Sequence, residues 1–180
     1  MRLTLLLMLT LACLAAECRP APPPSAGTQP SSTGTRLPGG GTQPAPDSIV
    51  LERTRCFGIC PAYRLSLARS GAVRFRSLNP GDSARTASDT LPRGAFERLA
   101  RQAAELGFDA LPDRIAGSPL CGAMATDHPS AIVTLFRGAR AKRVEDYHGC
   151  YPGPEALRRF ELAIDSTAAS GRWVRDARTR

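Results

Sequence analysis

The side chains best suited to chemistry in this chain are four cysteines, Cys56, Cys60, Cys121 and Cys150, and the histidine near the last of them, His148. Thiolates and imidazole suit zinc, and together these residues offer the four groups a tetrahedral site needs. The same cysteines could instead close disulfides, or Cys56 and Cys60 could cycle as a redox pair. The redox signature, however, has two residues between its cysteines and leads into a helix. Here three intervene, and Pro61-Ala62-Tyr63 leads into a strand pattern. His128, the second of two histidines, follows Asp127, and an acid–base pair of Asp127 with His148 requires two separate loops to meet. No serine stands in a nucleophile elbow, no His-Glu-x-x-His occurs, and Gly39-Gly40-Gly41 does not lie between a strand and a helix. No catalytic residue, metal ligand or cofactor is therefore assigned. A thiol- or metal-dependent enzyme centred on Cys56, Cys60, Asp127 and His148 stands as the alternative.

The compartment decides what the thiols become. Arg2 is followed by ten uncharged residues, Leu3 to Ala12, which is signal-peptide length and about half of what a membrane span needs. The run closes on Thr10-Leu11-Ala12-Cys13, which resembles a bacterial lipobox, with Thr10 in place of the usual leucine. Residues 1–12 are read as the signal peptide and Cys13 as the lipidated residue; ordinary cleavage after Ala15 or Ala16 is the other option. The expected location is the bacterial cell envelope, with contact to the membrane through a lipid anchor only. Exported thiols oxidise. Cys18 is left without a partner of its own.

Residues 13–47 are rich in Pro, Gly, Ser and Thr, with Gly27-Thr28-Gln29-Pro30 repeated as Gly41-Thr42-Gln43-Pro44. Such a stretch cannot bury enough apolar surface to offset its ordering entropy, and it reads as a tether. Residues 48–176 then form one domain and 177–180 a tail.

Within the domain, Ile49, Val50 and Leu51 open a first strand. Tyr63, Leu65 and Leu67 alternate with polar residues, as do Val73 and Phe75 in the next strand. A three-residue loop, Arg69-Ser70-Gly71, places Leu67 opposite Val73 and Leu65 opposite Phe75, and puts Gly71 where a left-handed residue is needed. A fourth strand is expected around Ala84 to Thr90. Phe96, Leu99, Ala103 and Leu106 have helical spacing, ended by Gly107. A second hairpin runs from Ala131, Val133 and Leu135 through Gly138-Ala139 to Val144, which falls opposite Val133. Pro154 starts a helix with Leu157, Phe160 and Ile164 on one face, and Gly171 lies past its end. The order predicts an α+β fold, a mostly antiparallel sheet with two helices packed on one face and stapled by disulfides. Four cysteines allow three pairings. Cys121 and Cys150 flank the open end of the second hairpin and Cys56 and Cys60 flank a tight turn, so the local pairing is expected.

The strings Glu52-Arg53-Thr54-Arg55-Cys56-Phe57-Gly58-Ile59-Cys60-Pro61-Ala62-Tyr63, Gly71-Ala72-Val73, Gly107-Phe108, Thr126-Asp127-His128-Pro129 and Ile164-Asp165, in that order, resemble the bacterial domain of unknown function 6438. The resemblance implies an exported domain, often behind a lipoprotein signal, with no established activity or cofactor.

The formal charge is +8, with 24 basic residues. Arg137, Arg140, Lys142 and Arg143 crowd the second hairpin tip, and Arg172, Arg175, Arg178 and Arg180 surround Trp173. The tip is the candidate binding surface, for an envelope protein, polysaccharide or anionic lipid surface. Nucleic acid is not expected, since the aromatic interleaving of a stacking surface is missing. The expected function is that of a non-catalytic envelope lipoprotein that contacts another envelope component.

Overall fold

The computed structural model describes residues 44–174. The signal sequence, Cys13, Cys18, the tether up to residue 43 and Arg175, Arg178 and Arg180 lie outside the described residues. The strands are β1 (Ser48–Arg53), β2 (Tyr63–Ala68), β3 (Ala72–Ser77), β4 (Thr86–Thr90), β5 (Ala123–Met124), β6 (Ser130–Arg137), β7 (Arg140–Tyr147) and β8 (Cys150–Tyr151). The helices are α1 (Ala95–Glu105) and α2 (Glu155–Ala168). Six strands form one antiparallel sheet in the order β4-β3-β2-β1-β6-β7, and β5 pairs with β8 in a small second sheet.

Alternation assigns the faces. Leu67, Ile49 and Leu135 line up across neighbouring strands, as do Phe75, Leu65, Leu51, Val133 and Val144 one step along. All are buried and meet Phe96, Leu99 and Ala103 of α1 and Leu157, Phe160 and Ile164 of α2. Each such side chain removed from water contributes about 1.5–3 kcal/mol. The fold is therefore the expected α+β one, with both helices covering the core face of the sheet.

Both hairpin registers follow the sequence. Leu67 pairs with Val73 and Leu65 with Phe75 around a loop in which Gly71 takes φ 89°. Val133 pairs with Val144 across Gly138-Ala139. Gly171 lies past the end of α2, as the sequence predicts. The helix stops at Ala169, which adopts a left-handed φ of 47°, two residues before Gly171. The strain that a side chain suffers there is met by the next residue, because the Ser170 hydroxyl donates to Asp165 Oδ1 at 2.7 Å and pins a 3-10 turn over Ser170–Arg172. Pro154 caps α2 and is not, as expected, its first helical residue.

Disulfides join Cys56 to Cys60 and Cys121 to Cys150, the local pairing. The β5–β8 pair, which the sequence did not announce, sits beside the second bridge, with Met124 opposite Cys150. Gly149 lies so close to the Ala125 carbonyl and the Tyr147 ring that no side chain fits there. The two ends of the sheet thus differ. The chain enters at Ser48, beside both hairpin tips, while both disulfides lie at the opposite end, beyond Arg53 and Tyr147.

The longer bridge closes a loop of separation 29. The Cys121→Ser/Cys150→Ser double variant should lose roughly 3.5 kcal/mol and the Cys56→Ser/Cys60→Ser variant about 2, as measured by urea denaturation. Equal losses, or the reverse order, would show that chain entropy does not govern these staples.

Candidate functional site

The last row of the core face, at the disulfide end, is polar except for Ala131. Ser77, Tyr63, Arg53, Ala131 and Asp146 stand opposite one another on β3, β2, β1, β6 and β7. Arg53 continues the inward series of Ile49 and Leu51, and Asp146 that of Val144, so the pleat itself sends a guanidinium and a carboxylate under α2. The helix answers with Arg158, Glu161 and Asp165. These follow helical spacing immediately beside the apolar stripe of Leu157, Phe160 and Ile164. From Arg158 to Asp165 the helix rises about 10.5 Å, against about 14 Å from β7 to β2 across the sheet, a gap that long side chains span.

The contacts are specific. Arg53 donates to Glu161 Oε2 at 2.9 Å and to Asp165 Oδ2 at 2.9 and 3.2 Å. The Tyr63 hydroxyl donates to Asp165 Oδ1 at 2.7 Å. Arg158 donates to Asp146 Oδ2 at 3.0 Å and to the Cys150 carbonyl at 3.1 Å. His148 Nε2 lies 2.9 Å from Glu161 Oε2 and 3.7 Å from Asp146 Oδ2. Asp146 and Glu161 are fully buried, and one oxygen of each, Asp146 Oδ1 and Glu161 Oε1, has no hydrogen-bond partner among the described residues. Leaving such an oxygen dry and unpaired costs about 1–3 kcal/mol or more. Burial opposes the charge of Arg53, but Glu161 and Asp165 more than offset that and hold its pKa above the ordinary value. Burial, reinforced by the Asp165 carboxylate, pushes the Tyr63 phenol up to about 12.

All four domain cysteines are paired in disulfides, so none stands as a free nucleophile or thiolate ligand. The Asp127–His148 pair does not form either. His148 turns inward to Glu161, whereas Asp127 adopts φ 70° and takes its side-chain hydrogen bond from Thr126. His128 packs edge-on against Tyr147 and Tyr151. Asp146, His148 and Glu161 together form a cluster whose donor atoms lie within 4.8 Å of one another, a nitrogen and two oxygens that could hold a metal ion.

Three surfaces are candidates for binding. At the second hairpin tip, Arg137 makes a two-pronged pair with Asp109, Lys142 binds Asp113 and the Leu111 carbonyl, and Arg143 pairs with Glu145. The Lys142 ammonium holds Asp113 below the ordinary carboxylate range, by hydrogen bond and by charge. Among the described residues Arg140 alone of the four tip cations has no acidic partner. At the disulfide end, Phe57 is 89% exposed and Ile59 57% exposed within the bridged turn. The Phe57 N–H reaches the Asp127 carbonyl, beside the exposed Met124 and Tyr151. An apolar groove of about 590 Å³ also lies between α1 and Pro44–Pro46, flanked by the Arg137–Asp109 pair.

The ion cluster was hidden in the sequence because its members are far apart, yet two signals mark it. Alternation puts Arg53 and Asp146 on the core face, and Arg158, Glu161 and Asp165 repeat at helical spacing on α2.

Arg53→Met should cost about 3–5 kcal/mol in urea denaturation, since it strands two carboxylates beneath α2; a loss under 1 kcal/mol would mean that the cluster is not a structural tie. Tyr63 gives a pH test. Its phenol ionises near pH 10 when unfolded and about 12 when folded. Its stabilising contribution is whole below pH 10 and is lost as pH rises through that window. Stability of the unmodified chain should fall between pH 10 and 12, and Tyr63→Phe should flatten that fall; an unchanged slope would contradict it.

No curated protein matches the sequence. The family model for the domain of unknown function 6438 matches residues 47–168, the span that holds both disulfides and every member of the ion cluster, and the chain belongs to that family.

Proposed function

We propose that this chain is an exported bacterial envelope lipoprotein, anchored through Cys13, whose domain is a non-catalytic module that contacts another envelope component through its disulfide end. The observation that carries the reading is Phe57. An aromatic ring 89% exposed on a covalently closed five-residue turn is held out in water. Exposed apolar side chains grouped with others mark contact surfaces, and a rigid turn loses little conformational entropy when a partner covers it. Ile59 on the same turn, and Met124 and Tyr151 on the β5–β8 pair at the same end of the sheet, are exposed as well. Burying a ring such as Phe57 is worth about 1.5–3 kcal/mol, enough to dominate a small interface.

The arrangement of the ends agrees with an anchored module. The described chain enters beside the hairpin tips, where Arg69 and Arg137 bind the carbonyls of Pro44, Ala45 and Pro46, so the apolar patch lies at the end of the sheet opposite that entry. Two disulfides are the mark of an oxidising, extracytoplasmic compartment. Among the described residues no helix is long and apolar enough to cross a membrane. At the basic hairpin tip Arg140, without an acidic partner among the described residues, is available to an anionic surface.

A photo-crosslinking amino acid placed at position 57 in the native host tests the reading, with position 140 as comparison and Cys13→Ser as the release control. A discrete protein adduct from position 57, lost when Ile59 is changed to Ser, together with release of the Cys13→Ser chain from the membrane fraction, is expected. Adducts from position 140 alone would move the contact to the hairpin tip, and an unmodified chain already free of the membrane would remove the anchor.

A further inference from the structure

The buried cluster offers more than structural ties. Around Asp146 and Glu161, the guanidinium groups of Arg158 and Arg53 each hold one carboxylate oxygen, at 3.0 and 2.9 Å, and leave the other oxygen of each carboxylate buried and without a partner among the described residues. Two guanidiniums, those of Arg53 and Arg158, face three carboxyl groups, Asp146, Glu161 and Asp165. His148 completes the set from the solvent side. Its side chain is 28% exposed, and its Nε2 is the atom that points at both carboxylates.

We propose that Asp146, His148 and Glu161 bind a divalent cation of the Zn²⁺ class, which clamps the disulfide end of β7 to α2. Bonds of about 2.0–2.1 Å to nitrogen and oxygen place neighbouring tetrahedral donors roughly 3.3 Å apart. The His148 Nε2 separations of 2.9 and 3.7 Å straddle that value. Small side-chain adjustments thus open the space, and all three donor atoms already lie within 4.8 Å of one another. One imidazole with two carboxylates suits a borderline ion better than Mg²⁺ or Ca²⁺, which favour oxygen alone. Arg53 and Arg158 serve as the outer partners that fix carboxylates around an ion. The exposed flank of His148 is the route of entry and leaves a fourth position for water. This site uses none of the cysteines and is independent of the contact surface at Phe57.

The test is calorimetric titration of the oxidised full chain, freed of metal by chelation, with Zn²⁺. One saturable site of micromolar affinity or better is expected, together with a rise in melting temperature. His148→Ala, a change at a partly exposed residue, should weaken binding at least about tenfold and abolish the thermal shift. Glu161→Gln should do the same. Because that change sits in the core, Co²⁺ absorption of the unmodified chain and of His148→Ala supplies a second readout, with tetrahedral d–d bands expected only in the former. Absence of saturable binding, an affinity unchanged by His148→Ala, or a nitrogen NMR signature of a doubly protonated His148 ring at saturating Zn²⁺ would each overturn the proposal.

Discussion

Arg53 is the tie on which this domain depends. It stands at the end of a central strand, on the face that every neighbouring side chain uses for the apolar core, and its charge must be met where water cannot reach it freely. Glu161 and Asp165, one helical turn apart on α2, meet it from above. A buried pair of this kind contributes little over a hydrophobic substitute, but it is costly to break from one side. Its consequence is geometric: α2 has one rotation and one position along the sheet at which Arg53, Tyr63 and Asp146 are all satisfied. The Ser170 hydroxyl on Asp165 extends the same constraint past the helix and fixes the left-handed turn at Ala169.

Ion cluster and disulfides share one end of the sheet, and each supports the other. Cys60 closes its turn three residues before Tyr63, and Cys150, whose carbonyl accepts from Arg158, is bridged to Cys121. The covalent links hold irregular segments, 54–62 and 121–129, that have little core of their own. The opposite end relies on tight turns and on arginines that bind the backbone of the incoming chain. A domain so divided has a partly apolar end held by bridges and a basic end where the described chain enters the sheet.

Much of the fold was legible because its signals are local. The loop Arg69-Ser70-Gly71 fixed the first register by its length and by the left-handed demand on Gly71, and the Gly138-Ala139 turn fixed the second. Spacing on α1 and α2 identified the buried faces, and the position of Cys121 and Cys150 at the open end of a hairpin identified the bridge. The β5–β8 pair escaped notice because two-residue strands carry no periodicity. The left-handed turn at Ala169 escaped because the hydrogen bond beside it, from Ser170 to Asp165, has no sequence signature.

Apolar alternation, helical spacing, turn glycines and cysteine placement by themselves determined the α+β class, both hairpin registers and the local pairing of thiols, since each acts over a few residues or through the closure of one hairpin. They left the meaning of the charges undecided. In sequence the hairpin-tip cations look free and His148 looks like a neighbour of cysteines. Only the packed structure spends Arg137, Lys142 and Arg143 on nearby carboxylates and turns His148 toward Asp146 and Glu161. A charge acts through space on whatever the fold brings within a few ångströms, and for Arg53 those groups lie more than a hundred residues along the chain.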